Sequence, residues 1–173
     1  MGFPLQPTLQ GKLLLLRPLQ PDDFDELFAV ASDPLIWEQH PERERYREEV
    51  FRGFFQSGME SGGAFVVVDR KDGRTIGSTR FANYDAANSE IEIGWTFLAR
   101  SHWGGAYNGE MKRLMLEHAL RHVRRVVFRV GPENLRSRRA VEKIGGVAAG
   151  TKPDSRGGES VVYEITALQP ASE

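Results

Sequence analysis

The stretch Ser101–Lys112, SHWGGAYNGEMK, sets Gly104 and Gly105 side by side directly before a helical pattern. Paired glycines at the mouth of a helix lower its stability unless the backbone must turn tightly or come close to something. The first N–H groups of a helix lack internal partners and carry the positive end of its dipole, so a glycine loop there suits a phosphate. No Gly-Lys-Ser/Thr follows, which excludes a Walker loop, and WGGAYNG does not fit the dinucleotide glycine fingerprint. Taken alone, a tight turn without a ligand explains the same residues. Glu90 and Glu92 share the polar side of the alternating segment EIEIGWTFL, where two carboxylates can exchange protons or simply face water. His118 and His122 stand four apart on a helix, a spacing able to hold a metal. The glutamate of His-Glu-x-x-His is missing and no third ligand is evident, so structural histidines and no metal are expected.

The elements that must position these residues alternate along the chain. KLLLLRPL reads as a strand stopped by Pro18, and PDDFDELFAVAS as a helix with an acidic start and a stripe of Phe24, Leu27, Phe28 and Ala31. Asp33-Pro34 ends it. A second helix is expected over ERERYREEVFRGFF, turning Tyr46, Val50 and Phe54 inward. AFVVVDR, the turn KDGR and TIGSTRFANY form a hairpin. In EIEIGWTFL, Ile91, Ile93, Trp95 and Phe97 are expected on one face and Glu90, Glu92, Gly94 and Thr96 on the other. A mostly buried helix follows from about Tyr107 to Val123, then the strand RVVFRV. The helix NLRSRRAVEKIGG has Asn at its start and Gly at its end, and VVYEITAL is the last strand. The pattern predicts one mixed α/β domain spanning residues 1–173, with helices on both faces of its sheet.

Composition narrows the function classes. The chain has 173 residues and no cysteine, which excludes disulfides, thiolate catalysis and cysteine metal sites. No apolar run reaches membrane-span length and Met1–Leu16 does not read as a signal peptide, so a cytoplasmic protein without a membrane partner is expected. Residues 1–87 carry 10 Lys+Arg against 14 Asp+Glu, and residues 88–173 carry 13 against 10. Two solvated faces explain this split; an anionic ligand on the C-terminal half and a cationic one on the N-terminal half explain it more sharply. The basic runs RHVRRVVFR and LRSRRA lack interleaved aromatics, and with a pI near 6.4 no nucleic acid is expected.

Taken together, the strand–glycine loop–helix unit and VVFRVGPENLRSRRAVEKIGG resemble the GNAT superfamily of acyl-CoA-dependent N-acyltransferases, nearest the ribosomal-protein N-terminal acetyltransferases. The matching residues are Glu92-Ile93-Gly94-Trp95 at the strand, Ser101-His102-Trp103-Gly104-Gly105-Ala106 at the pyrophosphate loop, and Asn134 through Gly145. The resemblance runs from about Lys12 to Leu168. It implies a twisted, mostly antiparallel sheet splayed between the fourth and fifth of these strands, EIEIGWTFL and RVVFRV. It also implies acetyl-CoA as cofactor, with CoA as product, and a primary amine as acceptor, on a small molecule or at a protein N-terminus. A homodimer is the assembly it carries.

By the same resemblance, the pantetheine arm pairs with backbone near Phe97 and Leu98. The pyrophosphate meets amides of His102, Gly104, Ala106 and Tyr107, with Gly105 allowing the turn and Asn108 beside it. Asn134 bonds a pantetheine amide, Ser137 faces the sulfur and Arg139 a phosphate. Glu92 is the base, through water, with Glu90 in reserve. Plain readings stand beside these: Asn134 as a helix cap, Ser137 as a first-turn partner, Trp103 as a wedge in the loop, Asn108 and Glu110 as helix-end residues. Two positions depart from the family. Ser101 replaces Gln or Arg at the start of the loop, and Val141 stands where many members have the tyrosine that protonates the departing thiolate. Ser137 is then the nearest acid. The loss of tyrosine keeps a second function open, a non-catalytic acyl-CoA-binding or regulatory module, and a third is an acyltransferase using a different acyl donor.

Overall fold

Period-two apolar runs and a Lys-Asp-Gly turn produce the central hairpin, β3 (Ala64–Asp69) and β4 (Thr75–Asp85), in the computed structural model, which describes residues 2–154 and 156–169. Around it lie β1 (Leu9–Gln10), β2 (Leu14–Pro18), β5 (Glu90–Leu98), β6 (Arg125–Val130), β7 (Val147–Pro153) and β8 (Glu159–Ile165). The sheet order is β1-β2-β3-β4-β5-β6-β8-β7, and every neighbouring pair is antiparallel except β5 with β6. That parallel pair requires a crossover, which α3 (Ala106–Ala119) supplies. Successive side chains of β3 serve opposite faces. Phe65 and Val67 join Met111, Met115 and Leu116 of α3, whereas Ala64 and Val66 join α1 (Phe24–Ala31) and α2 (Glu48–Ser61) through Leu27 and Phe51. The expected mixed sheet with helices on both faces is therefore present.

Several boundaries differ from the sequence reading. The second helix starts at Glu48, because Arg47 is extended and Glu48 and Glu49 form the acidic first turn; it ends at Gly62, φ 68°. Phe51 is its most buried side chain, while Tyr46, before the helix, and Phe54 pack against the same core as expected and Val50 is only partly buried. α3 closes at Ala119, four residues short of Val123. The edge strand β7 was not foreseen. Its sequence, VAAGTKP, has no alternation to read because the strand is exposed along its whole length.

Two irregularities matter for the cleft. β5 pairs with β6 only through Glu90, Ile91 and Glu92, opposite Arg125, Val126 and Val127; beyond them the strands part, as the family resemblance implied. In addition, a bulge takes Trp95 (φ 52°) and Thr96 out of the paired register between Gly94 and Phe97. Strict alternation fails there. Ile91 and Ile93 face α3, but Phe97 emerges on the opposite face against Trp37 and Phe51, and Thr96 turns towards α3.

Glu110 does not act at the helix end as the plain reading supposed. Its carboxylate accepts the backbone N–H groups of Lys12, Leu13 and Leu14 at 2.8, 2.8 and 2.9 Å, tying α3 to the start of β2. Charge-assisted bonds to three amides are strong, and an amide side chain would turn a donor towards donors. Glu110→Gln is expected to cost about 2–4 kcal/mol in urea unfolding; a change below about 0.5 kcal/mol would mean that water replaces the clamp.

Candidate active site

Where β5 and β6 part, a cleft of about 860 Å³ opens. Its walls come from the bulged half of β5, the loop after it, the first turns of α3, the end of β6, α4 (Leu135–Lys143) and the segment between α1 and α2. Of the residues expected to touch cofactor, Phe97, Leu98, Gly104, Gly105, Asn108, Asn134, Ser137 and Arg139 line this cleft. His102, Ala106 and Tyr107 do not.

The glycine loop has the geometry of an anion cradle. Gly104 (φ 116°) and Gly105 (φ 108°) take backbone angles that side-chain-bearing residues avoid, so the chain turns sharply into α3. The N–H groups of Gly104, Gly105, Ala106, Tyr107 and Asn108 find no carbonyl partner among the described residues; the first bond of the helix is Gly109 N–H to the Gly105 carbonyl. A Cβ on Gly105 would lie 2.9 Å from Lys143 Nζ, so an ammonium stands over the bare backbone. His102 departs from expectation because its amide already donates to the Ala99 carbonyl at 2.9 Å. Its ring, 2.8 Å from Asp69, and the Tyr107 hydroxyl, which donates to the same carboxylate at 3.2 Å, anchor the loop to β3. Trp103 serves as the wedge: its indole donates to the Leu98 carbonyl at 3.0 Å, and the Arg136 guanidinium lies 3.8 Å from its ring centre.

On the opposite side of β5, Glu92 is 5% exposed yet lines the cleft. Asn83, held at φ 55° in a bulge of β4, donates to Glu92 Oε1 at 2.8 Å, and Arg129 Nε lies 3.6 Å away. Burial raises the Glu92 carboxyl above the usual range; Asn83 and Arg129 oppose that shift, and Glu90 adds to it. Glu90 itself does not line the cleft and lies 3.0 Å from Arg125 Nε. Asn134 caps α4 by accepting the Ser137 N–H at 3.4 Å and also lines the cleft. Ser137 Oγ makes no hydrogen bond to a described residue, and Val141 is buried in the core beside it. His118 Nε2 donates to the Pro4 carbonyl at 2.8 Å and the ring packs on Phe3, a structural role. Among the described residues no group of three potential ligands converges on a metal position.

Sequence reasoning passed over Lys112. A lysine in an amphipathic helix reads as solvent-facing, yet Lys112 is 5% exposed. Its Nζ donates to Thr96 Oγ1 at 2.7 Å, lies 5.8 Å from the Phe128 ring centre, and has no carboxylate partner among the described residues. Burial pushes its ammonium down to about 7. The bulge at Trp95 is what turns Thr96 to meet it, so no period in the sequence announces the pair.

Comparison with known proteins agrees with this architecture. Residues 14–147 match the family model described as an acetyltransferase (GNAT) domain. The chain is 27% identical over 137 residues to an uncharacterized N-acetyltransferase, YnaD, of Bacillus subtilis (strain 168), covering 78% of this chain and 79% of that one. A GCN5-related N-acetyltransferase from Brucella melitensis shares the fold with a TM-score of 0.82 and 23% identity, over 94% of this chain and 80% of that one. Mycobacterium smegmatis RimJ, in complex with CoA-disulfide, does so with a TM-score of 0.75 and 20% identity, over 96% and 90%. Among the described residues no helix is long and apolar enough to cross a membrane. With the family model covering most of the sheet and the whole cleft loop, the chain belongs to the GNAT family of acetyltransferases.

Proposed function

We propose that this acetyltransferase moves an acetyl group from acetyl-CoA to a primary amine, by direct attack of the amine within a ternary complex. The observation that carries the reading is one continuous cleft with an amide-and-ammonium cradle at Gly104–Asn108 and Lys143 and a buried carboxylate at Glu92. The CoA-disulfide named with the RimJ structure supports the same ligand here. The acceptor is a small-molecule amine or a protein N-terminus.

The residues present fit CoA. The unpartnered amides of Gly104–Asn108 would hold its pyrophosphate, with Lys143 and Arg139 supplying positive charge. The β5 edge near Phe97 and Leu98, left unpaired by the departure of β6, would accept the pantetheine arm, and Asn134 would bond it. When bound, acetyl-CoA supplies an acetyl group already activated as a thioester. Glu92, ionised, takes the proton of the amine through water and hands it to solvent. A backbone N–H of the Trp95–Thr96 bulge, left outside the sheet register, would donate to the developing oxyanion. Ser137 Oγ donates to the departing sulfur in place of the tyrosine that Val141 replaces.

This last role is testable. Ser137→Ala is expected to lower kcat about tenfold with CoA affinity within about twofold, the signature of an interaction made mainly in the transition state. An unchanged kcat would remove Ser137 and leave Lys112, whose ammonium titrates near neutrality, as the donor to examine.

The second reading, a non-catalytic acyl-CoA-binding module, is favoured by Val141 alone. Thiol release from acetyl-CoA with a panel of amines separates the two. Release that depends on the amine, with an N-acetylated product by mass spectrometry, establishes the enzyme; CoA binding without release from any amine would establish the binder.

A further inference from the structure

The cleft wall contributed by the segment between α1 and α2 is cationic and aromatic. Arg45 lies with its guanidinium carbon 4.6 Å from the Phe54 ring centre and 5.6 Å from that of Trp37. Its only polar contact within hydrogen-bond distance among the described residues is His40, with Nη1 3.4 Å from Nε2. That contact is not a hydrogen bond. His40 Nδ1 accepts the Glu42 N–H at 2.9 Å, and burial together with the Arg45 charge pushes the imidazole down to about 3. A neutral ring with Nδ1 accepting carries its proton on Nε2, so two donors face each other with no acceptor between them.

One neighbouring carboxylate, Glu42, favours the Arg45 charge from beyond ion-pair distance. Glu42 is engaged by Arg156 at 3.2 Å. Arg80, 4% exposed, stands 5.5 Å from the same Phe54 ring and donates to Ser57 Oγ at 3.1 Å and the Phe54 carbonyl at 3.4 Å; among the described residues its Nε has no partner and no carboxylate lies within ion-pair distance. Burial lowers both Arg45 and Arg80 to about 10, which leaves both cationic at neutral pH. Arg45 is thus the guanidinium left without an acceptor, which is costly unless a ligand supplies the anion. A planar guanidinium beside a second N–H donor suits the two oxygens of one carboxylate.

Trp37, His40 and Arg45 line the same cleft as Glu92. The cleft is thus bipolar, with a carboxylate on β5 for the amine and free donors on the segment between α1 and α2. We propose that this wall is a carboxylate subsite and that the acceptor bears a carboxylate a few bonds from the amine that is acetylated. Such an acceptor is a free amino acid or a peptide whose N-terminal residue is acidic. The inference rests on the reading of the cleft as the site of acetyl transfer.

The test compares matched amines that differ only in the carboxylate: L-glutamine with L-glutaminamide, and an Asp-Ala-Ala amide with an Asn-Ala-Ala amide. The carboxylate member of at least one pair is expected to have a kcat/KM about tenfold higher or more. The first pair reports the free amino acid and the second the acidic N-terminus. Arg45→Met should shrink that preference to about threefold or less and Arg45→Lys should retain part of it, while Arg74→Ala, an exposed control, leaves it intact. A retained CoA-induced melting shift checks that each variant is folded. Calorimetric binding of the same amines with CoA present gives the comparison without turnover. Equal use of both members in both pairs, a preference that survives Arg45→Met, or a stronger preference for O-phosphoethanolamine overturns the carboxylate subsite. Failure of CoA to shift the wild-type melt overturns the reading of the cleft instead.

Discussion

Replacing Gly105 with valine is expected to abolish the rise in melting temperature that CoA produces in the wild-type protein. At a CoA concentration one hundred times Kd, a ligand selective for the native state contributes about 2.7 kcal/mol, which is about 5–10 °C for a chain of this size. Gly105 sits at φ 108°, ψ −29°, where a β-branched residue is strongly disfavoured, and its added Cβ would crowd Lys143 Nζ. The lysine tip can move, but the backbone cannot keep its angles. The expected result is a rotated loop that no longer aims the amides of Gly104–Asn108 together. The unliganded variant should stay folded, losing about 1–3 kcal/mol, because the loop lies outside both apolar cores. A wild-type melt unmoved by saturating CoA sinks the cofactor assignment; a variant that keeps the full shift shows that the loop is only a turn.

Glu92→Gln is expected to reduce acetyl transfer about a hundredfold while CoA binding is preserved. The base form is the ionised one, so the wild-type rate falls as pH drops through the Glu92 pKa, which burial raises above the usual carboxylate range. The variant should lose that acid limb. Stability should move the opposite way. With the folded pKa raised, the native state holds a proton more tightly than the unfolded chain, so stability declines as pH rises from the unfolded to the folded value. Above that window the buried charge is a standing cost. Glu92→Gln should therefore melt higher than wild type at neutral pH, and the gap should close below the ordinary carboxylate range. A variant with full rate and an unaltered pH profile would reduce Glu92 to a residue of the strand face.

Much of the site was legible because its chemistry is local. The Gly104-Gly105 pair before a helix, the Asn134 cap and Glu92 on the polar side of EIEIGWTFL each depend on backbone rules that act over a few residues, and each sits in the cleft. The order of strands and helices was legible for the same reason: period two and period 3.6 are properties of short segments. What failed was whatever crosses between segments. The bulge at Trp95 arises from pairing with β4, so the predicted placement of Phe97 beside Ile91 and Ile93 was wrong on either side of it. His102 looked free in the sequence, but a 3-10 turn consumes its amide and a carboxylate on β3 takes its ring.

The sequence by itself determined an alternating α/β chain with a glycine-opened helix and a carboxylate strand, since apolar periodicity and the backbone freedom of glycine are encoded residue by residue. Only the tertiary structure decided that Lys112 is buried without a carboxylate partner among the described residues, that Glu110 clamps the amides of β2, and that Arg45 and His40 line the cleft as donors with no acceptor among those residues. Burial, ion pairing and the tautomer of a histidine depend on neighbours that the fold brings together from distant parts of the chain. No pattern within one segment carries them.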